Sequence, residues 1–505
     1  MASSNRNTSI IADAITAAPS RDVELQPIPV LTQKSDDPFL VAFNPNFDID
    51  NPKDWPTGRK WAVTDVLSAT GFTRIMVSTI MAPALSIIAS ELHMSSTEAA
   101  MSLSIYLLAT AFGPLFLGPL SEVYGRERVL HASNVWFLIW NITCGFANTK
   151  ELLIGARFLA GLGASAIYSL SGGVLSDVWR PDQRGRSLSI YLLIPLLGAA
   201  VGPIIGGFMA GRTTWRWMFW STSIFQAVII LVSMSAFHET YAPLILRRRA
   251  EKLRRETGNN QYYTIHERFD SKRSTVGLLT RALTRPLRLL MFHPIIQITT
   301  MIEAFFYGLL YIILSSFSEL WVRQYGYSVE ISGLHYIANA SGEVVGSQIS
   351  GRIMDYLYRR MKARNDAATD LEPEKRIPLS FPGRLLIPAG LLIYGWTAQY
   401  HVHWAAVDLG IFLTSLGMSV AGLPLSAYVI DAYPDHTSSA LAASQFLRSL
   451  TAFLFPLFTP ALYNALGYGW GNSTIAFVSL IFGIPAPWLL FKFGARLRAR
   501  AVSSD

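Results

Sequence analysis

The feature that most constrains the fold of this chain is a set of about twelve apolar runs, each close to 20 residues long. A helix rises about 1.5 Å per residue, so a run of that length crosses a hydrocarbon core of about 30 Å. Hydrophobic residues make up 51% of the 505 residues and charged residues only 15%, too little charge to cover a soluble protein of this length. The predicted spans are 61–83, 97–119, 129–148, 151–175, 187–210, 216–237, 291–316, 329–350, 383–400, 404–430, 438–462 and 473–494.

Positive charge is unevenly distributed among the segments that connect these spans. Most of the 42 lysines and arginines lie in the two tails and in the segments that follow even-numbered spans. The segments on the other side hold only Lys150, Arg212, Arg216 and Arg323. Because cytoplasmic loops are enriched in Lys and Arg, both termini are predicted to be cytoplasmic. The net charge of +8 is therefore a sign of topology, and nucleic acid is not expected as a partner.

The spans divide into two groups of six, separated by a basic segment that contains Arg247-Arg248-Arg249. The first residues of the chain are poor in aromatics and rich in Ser, Asp and Pro, which is typical of disorder. The basic segment has the pattern of an amphipathic helix lying on anionic lipid. The predicted organisation is a disordered cytoplasmic tail (1–55), a six-helix bundle (56–238), a cytoplasmic basic linker with an amphipathic helix (239–290), a second six-helix bundle (291–494) and a cytoplasmic tail (495–505).

A charged glycine motif occurs once in each half of the chain. Gly118–Arg126 and Gly351–Arg359 both follow the pattern Gly-x-x-x-acid-x-x-x-Arg, and each follows an apolar run. Such a repeat indicates a duplicated membrane protein. An acid and an arginine at a short cytoplasmic turn can bond to neighbouring helix ends in one conformation and release them in another. The residues predicted to form this conformational latch are Gly118, Glu122, Gly125, Arg126, Arg128, Asp355 and Arg359.

Motifs of several enzyme and cofactor classes are missing from the sequence. No lysine follows a glycine, so there is no Gly-Lys-Ser/Thr phosphate loop, and ATP-driven transport is not expected. His238-Glu239 is not followed by a second histidine at helical spacing, and no Cys/His cluster could hold a metal. Cys144 is the single cysteine, which excludes an intramolecular disulfide. We therefore expect neither an enzyme nor a bound metal or cofactor.

Several segments resemble motifs of one transporter family. The loop Gly118–Arg128 is similar to the signature loop between spans 2 and 3 of the major facilitator superfamily, with Glu122 where that family usually has Asp. Arg157–Gly161 resembles its span 4 motif, and Gly198–Gly207 resembles the span 5 motif of its proton-coupled exporters. The segments similar to the fungal 12-span drug:proton antiporter branch are Asn51–Pro56, Glu239–Pro243 and Leu386–Trp396.

This resemblance implies an all-α integral membrane protein with 12 transmembrane helices in two pseudo-symmetric six-helix bundles. It implies a monomer that exports a small, partly hydrophobic organic compound, such as a fungal secondary metabolite or a drug, in exchange for protons. The proton gradient would supply the energy without a cofactor, in the plasma membrane or in an internal membrane such as the vacuole. The resemblance also implies that the antiporter helix motif contacts the second bundle; its residues are Gly198, Gly202, Pro203, Gly206 and Gly207.

Four residues are candidates for proton coupling: Glu303, Glu343, Asp65 and Arg157. Glu303 and Glu343 fall near the middle of their spans, where an embedded carboxylate is costly and is often functional. Asp65 lies near the inner end of span 1, and the family resemblance implies that Arg157 lies near the proton path. The alternative for the two glutamates is a buried ion pair, Glu343 with Arg448 or either glutamate with Arg74.

The candidates for lining a substrate cavity are one arginine and a set of aromatic residues. Arg74 is unusual at membrane depth and could select an anionic or carbonyl-rich compound. Aromatic rings could form an apolar, adaptable wall, although any single ring can equally face lipid or pack between helices. The candidates are Arg74, Tyr106, Tyr168, Phe305, Tyr307 and Tyr311.

Three other functions are compatible with a chain of this kind. Uptake by proton symport would use the same fold, but the span 5 glycine motif favours export. A non-transporting membrane receptor or scaffold would have to work through 239–290, which contains no recognisable module. A membrane enzyme is disfavoured by the absence of a nucleophile–base pair, a metal-ligand set or a phosphate loop.

Overall fold

A computed structural model describes residues 37–44, 46–265, 267, 284, 287–364, 373–433 and 437–502. Over these ranges the chain is helical, apart from loops and one isolated bridge that pairs Leu40 with Tyr263. Nine stretches within the described ranges are long and apolar enough to cross a membrane, judged by length and composition. The prediction of an all-α membrane protein is therefore confirmed.

The helices are numbered here in chain order. They are α1 (Thr57–Thr79), α2 (Leu85–Glu91), α3 (Ser96–Tyr124), α4 (Arg126–Gly145), α5 (Lys150–Ala164), α6 (Ala166–Val178), α7 (Pro181–Arg212), α8 (Arg216–Ala236), α9 (Ala242–Thr257), α10 (Pro294–Glu319), α11 (Val329–Arg364), α12 (Phe381–Gln399), α13 (Trp404–Ala432), α14 (Thr437–Gly483) and α15 (Pro485–Val502). A π-helical turn, Leu320–Gln324, extends α10, and short 3₁₀ segments lie at Pro52–Asp54, Ala82–Ala84 and Pro373–Ser380.

Each of the predicted spans falls on a helix of the described chain, although three do not stand out as separate apolar stretches. Helix α4 carries Asn134 and Asn141 in its interior, and α11 carries His335, Asn339 and Glu343, so both are less apolar than their neighbours. The last two spans belong to a single stretch, because the two helical parts of α14 meet directly at one glycine whose backbone is not helical. That residue, Gly467, has a φ of 67°, which glycine adopts without the strain that a side chain would cause.

Several helix boundaries are set by ordinary capping. At the start of α3, the Ser95 hydroxyl accepts a hydrogen bond from Glu98 N (3.2 Å), and the Glu98 carboxylate accepts one from Ser95 N (2.8 Å). This reciprocal pair satisfies two backbone donors that a helix leaves free. Thr149 caps α5 with a single bond, in which its Oγ1 accepts from Leu152 N at 3.3 Å.

The membrane helices form two halves that meet along two seams. The first half contains α1–α8 and the second contains α10–α15, and most helix packing occurs within each half. Across the boundary, α3 packs on α14 and α7 packs on α11. The exact domain limits given from the sequence stay a prediction.

The described hydrogen bonds and ion pairs between the two halves lie between mid-depth and one side of the molecule. We call the side that carries residues 37–56 and the end of α15 the terminal face, and the other side the opposite face. At mid-depth, Thr110 Oγ1 and Ser449 Oγ share a hydrogen bond (3.0 Å). Two contacts lie nearer the opposite face: Ser318 Oγ donates to Pro83 O (2.8 Å), and Arg212 Nε pairs with Glu330 Oε1 (3.0 Å).

The segment before α1 differs from the predicted disordered tail. Residues 37–44 and 46–55 fold against α9 and the α6–α7 turn, whereas 1–36 lie outside the described residues. Asp48 pairs with Arg249 at 2.7 Å, and Asp54 pairs with Arg180 at 2.7 Å. Val41 packs on Leu246 and Ala250 of α9. The low aromatic content of the whole tail concealed this local pattern of apolar and acidic residues.

A helix is present where the linker was expected to contain an amphipathic one. In α9, Leu246 and Ala250 are buried while Arg247 and Arg248 are exposed. The later part of the linker, at 266, 268–283 and 285–286, lies outside the described residues. At the other end of the chain, α15 continues to Val502, so most of the expected C-terminal tail extends the last helix.

Candidate functional site

One face of α7 is a row of glycines that lets α1 approach closely. A Cβ built on Gly198 would lie 2.6 Å from Phe72 O, and one on Gly202 would lie 2.7 Å from Met76 O. A Cβ on Gly206 would overlap Ile80 O. Real Cβ atoms do not come so close to a carbonyl oxygen, so this packing requires small residues.

A second face of α7 carries glycine toward the other half of the molecule. A Cβ on Gly207 would lie 2.8 Å from Val329 O of α11, and a Cβ on Gly333 would lie 2.7 Å from Pro203 O of α7. The antiporter helix motif therefore contacts both its own half and the second half. The resemblance predicted only the contact with the second bundle, and the geometry adds the row against α1.

Arg157 joins three helices of the first half near the opposite face. It is completely buried and donates to the carbonyl oxygens of Val77 (2.9 Å), Leu103 (3.2 Å) and Ser102 (3.3 Å). Its guanidinium lies 4.6 Å from the centre of the Tyr106 ring. All three hydrogen bonds go to main-chain oxygens of α1 and α3, so the contacts of this arginine are structural in the conformation observed.

Arg74 lies away from the position expected for a cavity residue. It is 2% exposed, donates to Asn134 Oδ1 at 2.5 Å and stacks 3.6 Å from the centre of the Phe137 ring. No ion pair with Glu303 or Glu343 occurs among the described residues. Tyr106 is also buried, and its hydroxyl donates to Arg74 O at 3.0 Å. Both side chains therefore belong to the core of the first half, because Arg74 contacts α4 and Tyr106 contacts α1 and Arg157 of α5.

Three of the predicted aromatic residues do meet between the halves. Tyr168 of α6 is 37% exposed although it lies deep in the molecule, and its phenol is within electrostatic range of Tyr307 and Arg448. The Tyr307 and Tyr311 rings are 5.3 Å apart. The Arg448 guanidinium lies 4.5 Å from the centre of the Tyr307 ring. We call Tyr168, Tyr307, Tyr311 and Arg448 the central cluster.

The central cluster contains a positive charge without a carboxylate partner. Arg448 forms no ion pair within the described residues, so the alternative of a buried pair with Glu343 is not present. A cation resting on an aromatic face keeps its remaining N–H groups available for an anion or a carbonyl oxygen. The cluster can therefore hold an aromatic molecule that carries such an acceptor.

Phe305 does not belong to the central cluster. Its ring packs on Phe306, on Phe455 and on Phe482, with the last pair stacked at 5.6 Å. It therefore fills space among α10 and α14. Counting residues along a helix gives depth but not direction, which explains why this position was predicted to line the cavity.

Glu303 lies inside the second half among hydroxyl groups. Ser426 of α13 donates to its carboxylate at 2.8 Å, and Ser444 of α14 makes a short hydrogen bond to its other oxygen. Arg384 is close enough for its charge to act on Glu303. Glu303 thus connects three helices, and its bonds depend on the carboxylate being an acceptor at both oxygens.

Glu343 lies on α11 with an amide partner. Asn339 Nδ2 donates to Glu343 Oε1 at 3.2 Å, and Asn339 Oδ1 accepts from Ser415 Oγ at 2.8 Å. Glu343 forms no ion pair among the described residues. Asp65, the remaining carboxylate candidate, is exposed near the terminal end of α1 and is not brought together with Glu303 or Glu343.

The first latch motif forms a charge cluster at the terminal face of the first half. Arg126 N donates to Glu239 Oε1 at 2.9 Å, and its guanidinium pairs with Asp177 at 3.6 Å. Gly125 has a φ of 98°, and a Cβ there would overlap the Glu239 carboxylate. These contacts tie the α3–α4 turn to the ends of α6 and α8.

Other members of the predicted latch take no part in these bonds. Glu122 and Arg128 are exposed, and the space around Gly118 would admit a Cβ at 3.7 Å from Ser169. In the second copy the helical backbone is described, but the side chains of Asp355 and Arg359 lie outside the described residues. Their role stays a prediction.

A cavity of about 470 Å³ lies between the halves at the opposite face. Its walls come from the chain around Ala82–Ala100, from the end of α10 and from the bend in α14. Serine, glutamate and arginine side chains line it, and Glu319 pairs with Arg323 at 2.6 Å on its rim. The Ser318–Pro83 hydrogen bond and Tyr311 lie between this cavity and the rest of the central cluster.

Three charged sites were missed from the sequence. Arg384 falls at the start of the predicted span 383–400 but was not named as a site; it is 2% exposed in the first turn of α12, 4.9 Å from the Phe306 ring. Asp177 pairs with Arg126, and His335 pairs with Asp408 at 2.8 Å. A signal was available for the last pair, because both residues lie several positions inside predicted spans.

Comparisons with known proteins agree with this architecture. A sequence model of the Major Facilitator Superfamily matches residues 67–456. The chain is 57% identical to the probable efflux pump mfs2 of Aspergillus flavus over 425 residues, which cover 84% of this chain and 100% of that protein. It is 39% identical to the efflux pump vrtL of Penicillium aethiopicum over 465 residues, covering 92% of this chain and 91% of that protein.

Two solved structures show the same fold at low sequence identity. A bacterial homologue of the human lysosomal transporter Spinster, inward-facing and occupied, aligns with a TM-score of 0.63 and 14% identity, covering 88% of this chain and 99% of that one. The xylose transporter XylE from E. coli, partially occluded and inward open, aligns with a TM-score of 0.60 and 15% identity, covering 86% and 98%.

Proposed function

Because the chain belongs to the major facilitator superfamily, we propose that it is a secondary transporter that exports a small, partly hydrophobic organic compound in exchange for protons. The relatives named as efflux pumps, which include a protein 57% identical, support export rather than uptake. The observation that carries the proposal is the central cluster, where aromatic rings and an arginine with no carboxylate partner among the described residues meet between the two halves.

The chemistry of the central cluster suggests the class of compound. Tyr168 and Tyr307 offer ring faces and hydroxyls from opposite halves, and Arg448 offers a cation that rests on a ring. An aromatic molecule with a carboxylate, phenolate or carbonyl group matches these features. The sequence assigned this selective role to Arg74; we now assign it to Arg448.

The orientation proposed from the charge distribution places the terminal face in the cytosol. The described bonds between the halves lie from mid-depth to the opposite face. In that orientation the conformation is inward-facing, and the central cluster receives its compound from the cytosol. Release would require parting of these bonds and access to the cavity of about 470 Å³ at the outer side. A monomer in the plasma membrane fits this reading.

An assay in inside-out vesicles tests direction and substrate class together. Fluorescein serves as an aromatic anionic probe and rhodamine 6G as an aromatic cationic one, with an acid-interior pH gradient imposed. Export predicts that vesicles containing the protein accumulate fluorescein more than rhodamine 6G, and that Arg448→Gln abolishes this preference. Dissipating the gradient should stop accumulation. Absence of gradient-dependent accumulation of either probe would contradict the proposal, and expulsion of the probe would favour proton symport.

Glu303 and Glu343 are the proposed carriers of the exchanged proton. A proton arriving from outside would neutralise one of them, weaken the bonds it accepts and permit the empty carrier to return. For Glu303 these bonds come from Ser426 and Ser444, with the Arg384 charge close by. No bound cofactor is needed in this cycle, because the pH gradient supplies the energy.

Glu303→Gln is the matching mutation, since glutamine keeps the volume and cannot release a proton. We expect a folded protein that no longer accumulates fluorescein in response to a pH gradient. Glu319→Gln, on the same helix but paired with Arg323 at the opposite face, serves as the control and should retain accumulation. If Glu303→Gln transports with an unchanged pH dependence, Glu303 is not a coupling residue.

A further inference from the structure

A histidine–aspartate pair lies on the flank of the second half, near the opposite face. His335 of α11 is 8% exposed, and its Nδ1 lies 2.8 Å from Asp408 Oδ2 of α13. The imidazole stacks on the Trp321 indole with ring centres 3.7 Å apart. Neither the family motifs nor the central cluster uses these residues.

The geometry leaves one imidazole nitrogen as the basic site. A carboxylate oxygen accepts hydrogen bonds, so the contact with Asp408 places the neutral ring's proton on Nδ1. Nε2 then carries the lone pair. Asp408 Oδ1 is buried and accepts no hydrogen bond from any described residue.

The pair borders the surface of the second half near the opposite face. A groove of about 520 Å³ passes beside it, with His335 and Asp408 in its wall together with Tyr327, Leu334 and Trp404. The titratable groups that face the pair from neighbouring elements are the phenols of Tyr327 and Tyr325, both from the segment after α10. No lysine or arginine forms an ion pair with Asp408 among the described residues.

Below His335, the same face of α11 carries two further polar residues at one-turn intervals. Asn339 follows by four positions and Glu343 by eight, which corresponds to about 6 Å and about 12 Å along the helix axis. Asn339 hydrogen-bonds both to Glu343 (3.2 Å) and to Ser415 of α13 (2.8 Å). Polar groups thus run along the α11–α13 boundary from the opposite face to mid-depth.

Building on the proposed function, we propose that this row of polar residues is a proton-entry route. His335, paired with Asp408, is the outer proton acceptor, and Glu343 is the inner one. A hydronium ion gives its proton to His335 Nε2, forming an imidazolium beside Asp408. The imidazolium returns to neutral when the proton passes through water molecules beside Asn339 to the Glu343 carboxylate, which becomes a neutral carboxylic acid. The count of protons and charges balances in each step.

A pH jump on the full chain in lipid nanodiscs tests the route without a transported compound. Infrared absorption of the carboxylic acid C=O stretch reports protonation of Glu343, identified as the band that Glu343→Gln removes. After a jump from about pH 9 to about pH 5, we expect His335→Asn to slow the rise of that band by at least about tenfold, since a positioned proton-transfer group commonly accelerates transfer by 10² or more. His93→Asn, an exposed histidine at the same face, should leave the rate unchanged.

A second variant covers the case in which His335→Asn fails to fold. Asp408→Asn keeps an acceptor oxygen for His335 Nδ1 and removes the charge. The rise of the Glu343 band should therefore also be slower in this variant, while the melting temperature of the variant stays close to that of the parent protein. A rate equal to the parent's in either folded variant, or the absence of a Glu343-dependent band, overturns the route. Slowing of the band without gradient-driven fluorescein accumulation in vesicles would instead refute the proposed function and leave the route standing.

Discussion

Gly207 of α7 and Gly333 of α11 face each other across the boundary between the two halves. A Cβ added to Gly207 would lie 3.3 Å from the Gly333 Cα, and one added to Gly333 would lie 3.4 Å from the Gly207 Cα. Each added carbon would also come within 2.8 Å of a carbonyl oxygen of the facing helix. The seam near the opposite face is therefore a contact of main chain on main chain.

Adding a methyl group at this seam should separate the helices. We expect Gly207→Ala to cost about 1–3 kcal/mol of stability, the usual range for overpacking, and to favour conformations in which the opposite face is parted. Gly155→Ala is the control, because nothing lies within 4 Å of its Cβ and alanine is the better helix former. Thermal unfolding in detergent measures both variants. A Gly207→Ala protein as stable as Gly155→Ala would show that the seam can widen freely.

The ion pair at the same seam should matter far less. Arg212 Nε lies 3.0 Å from Glu330 Oε1, but the arginine side chain is 72% exposed. Exposed pairs of this kind contribute about 0–1 kcal/mol. Arg212→Gln is therefore expected to change the melting temperature by only a small fraction of the change caused by Gly207→Ala. Equal losses in the two variants would mean that charge, rather than close backbone packing, holds the seam.

Arg157 should tolerate replacement by lysine poorly, although the charge is kept. Its guanidinium reaches three carbonyl oxygens on two helices at once, a geometry that a single ammonium group cannot reproduce. Leaving buried acceptors unsatisfied costs about 1–3 kcal/mol each, so Arg157→Lys should lower thermal stability clearly. Arg128→Lys, at an exposed position, is the comparison and should melt as the parent does.

Attachment of the N-terminal segment to α9 should depend on pH. Burial acts to raise the pKa of Asp48, but hydrogen bonds from Arg249 and from the backbone N–H groups of Asn44 and Asp50 outweigh it, so the pKa lies below its ordinary value of 3.8. Because the detached segment binds the proton more tightly, attachment is fully stabilised above about pH 4 and is lost as pH falls through the lower pKa of the attached state.

A spin label at an Asn46→Cys position would report this release as increased mobility, since the native Cys144 is buried. In the Asp48→Asn variant the spin label should already be more mobile at neutral pH, because attachment of the segment is weakened by about 1 kcal/mol. The neighbouring Asp50 is exposed, and Asp50→Asn should behave as the parent protein. Equal mobility of the Asp48 and Asp50 variants would exclude the Asp48–Arg249 pair as the attachment.

The spans could be predicted from the sequence because burial in lipid requires runs of apolar residues, and the glycine stripe of α7 could be predicted because only missing side chains allow such packing. Direction around a helix could not be predicted. Arg74 and Tyr168 are both polar residues at membrane depth, yet Arg74 points to Asn134 while Tyr168 faces the other half. That difference depends on the rotation of each helix, which partner helices determine.

Residues near helix ends were the other source of error. Arg384 lies at the start of the predicted span 383–400, where a charge usually marks the end of a span, and it was not singled out as a buried residue. The 3₁₀ segment Pro373–Ser380 leads directly into α12, and Arg384 in its first turn is buried. The packing of Asp48 and Val41 on α9 was hidden for a similar reason, because composition averaged over a long tail hides a short ordered part.

The few polar contacts between the halves within the described part of the chain set an energy scale for the cycle. A hydrogen bond such as Thr110–Ser449 contributes about 1 kcal/mol net. The glycines of α7 have no side chains that would have to change rotamer when the helices move past each other. One proton moving across a difference of one pH unit releases about 1.4 kcal/mol. For a proton-driven cycle, one pH unit of gradient is therefore of the same size as the net worth of one such hydrogen bond.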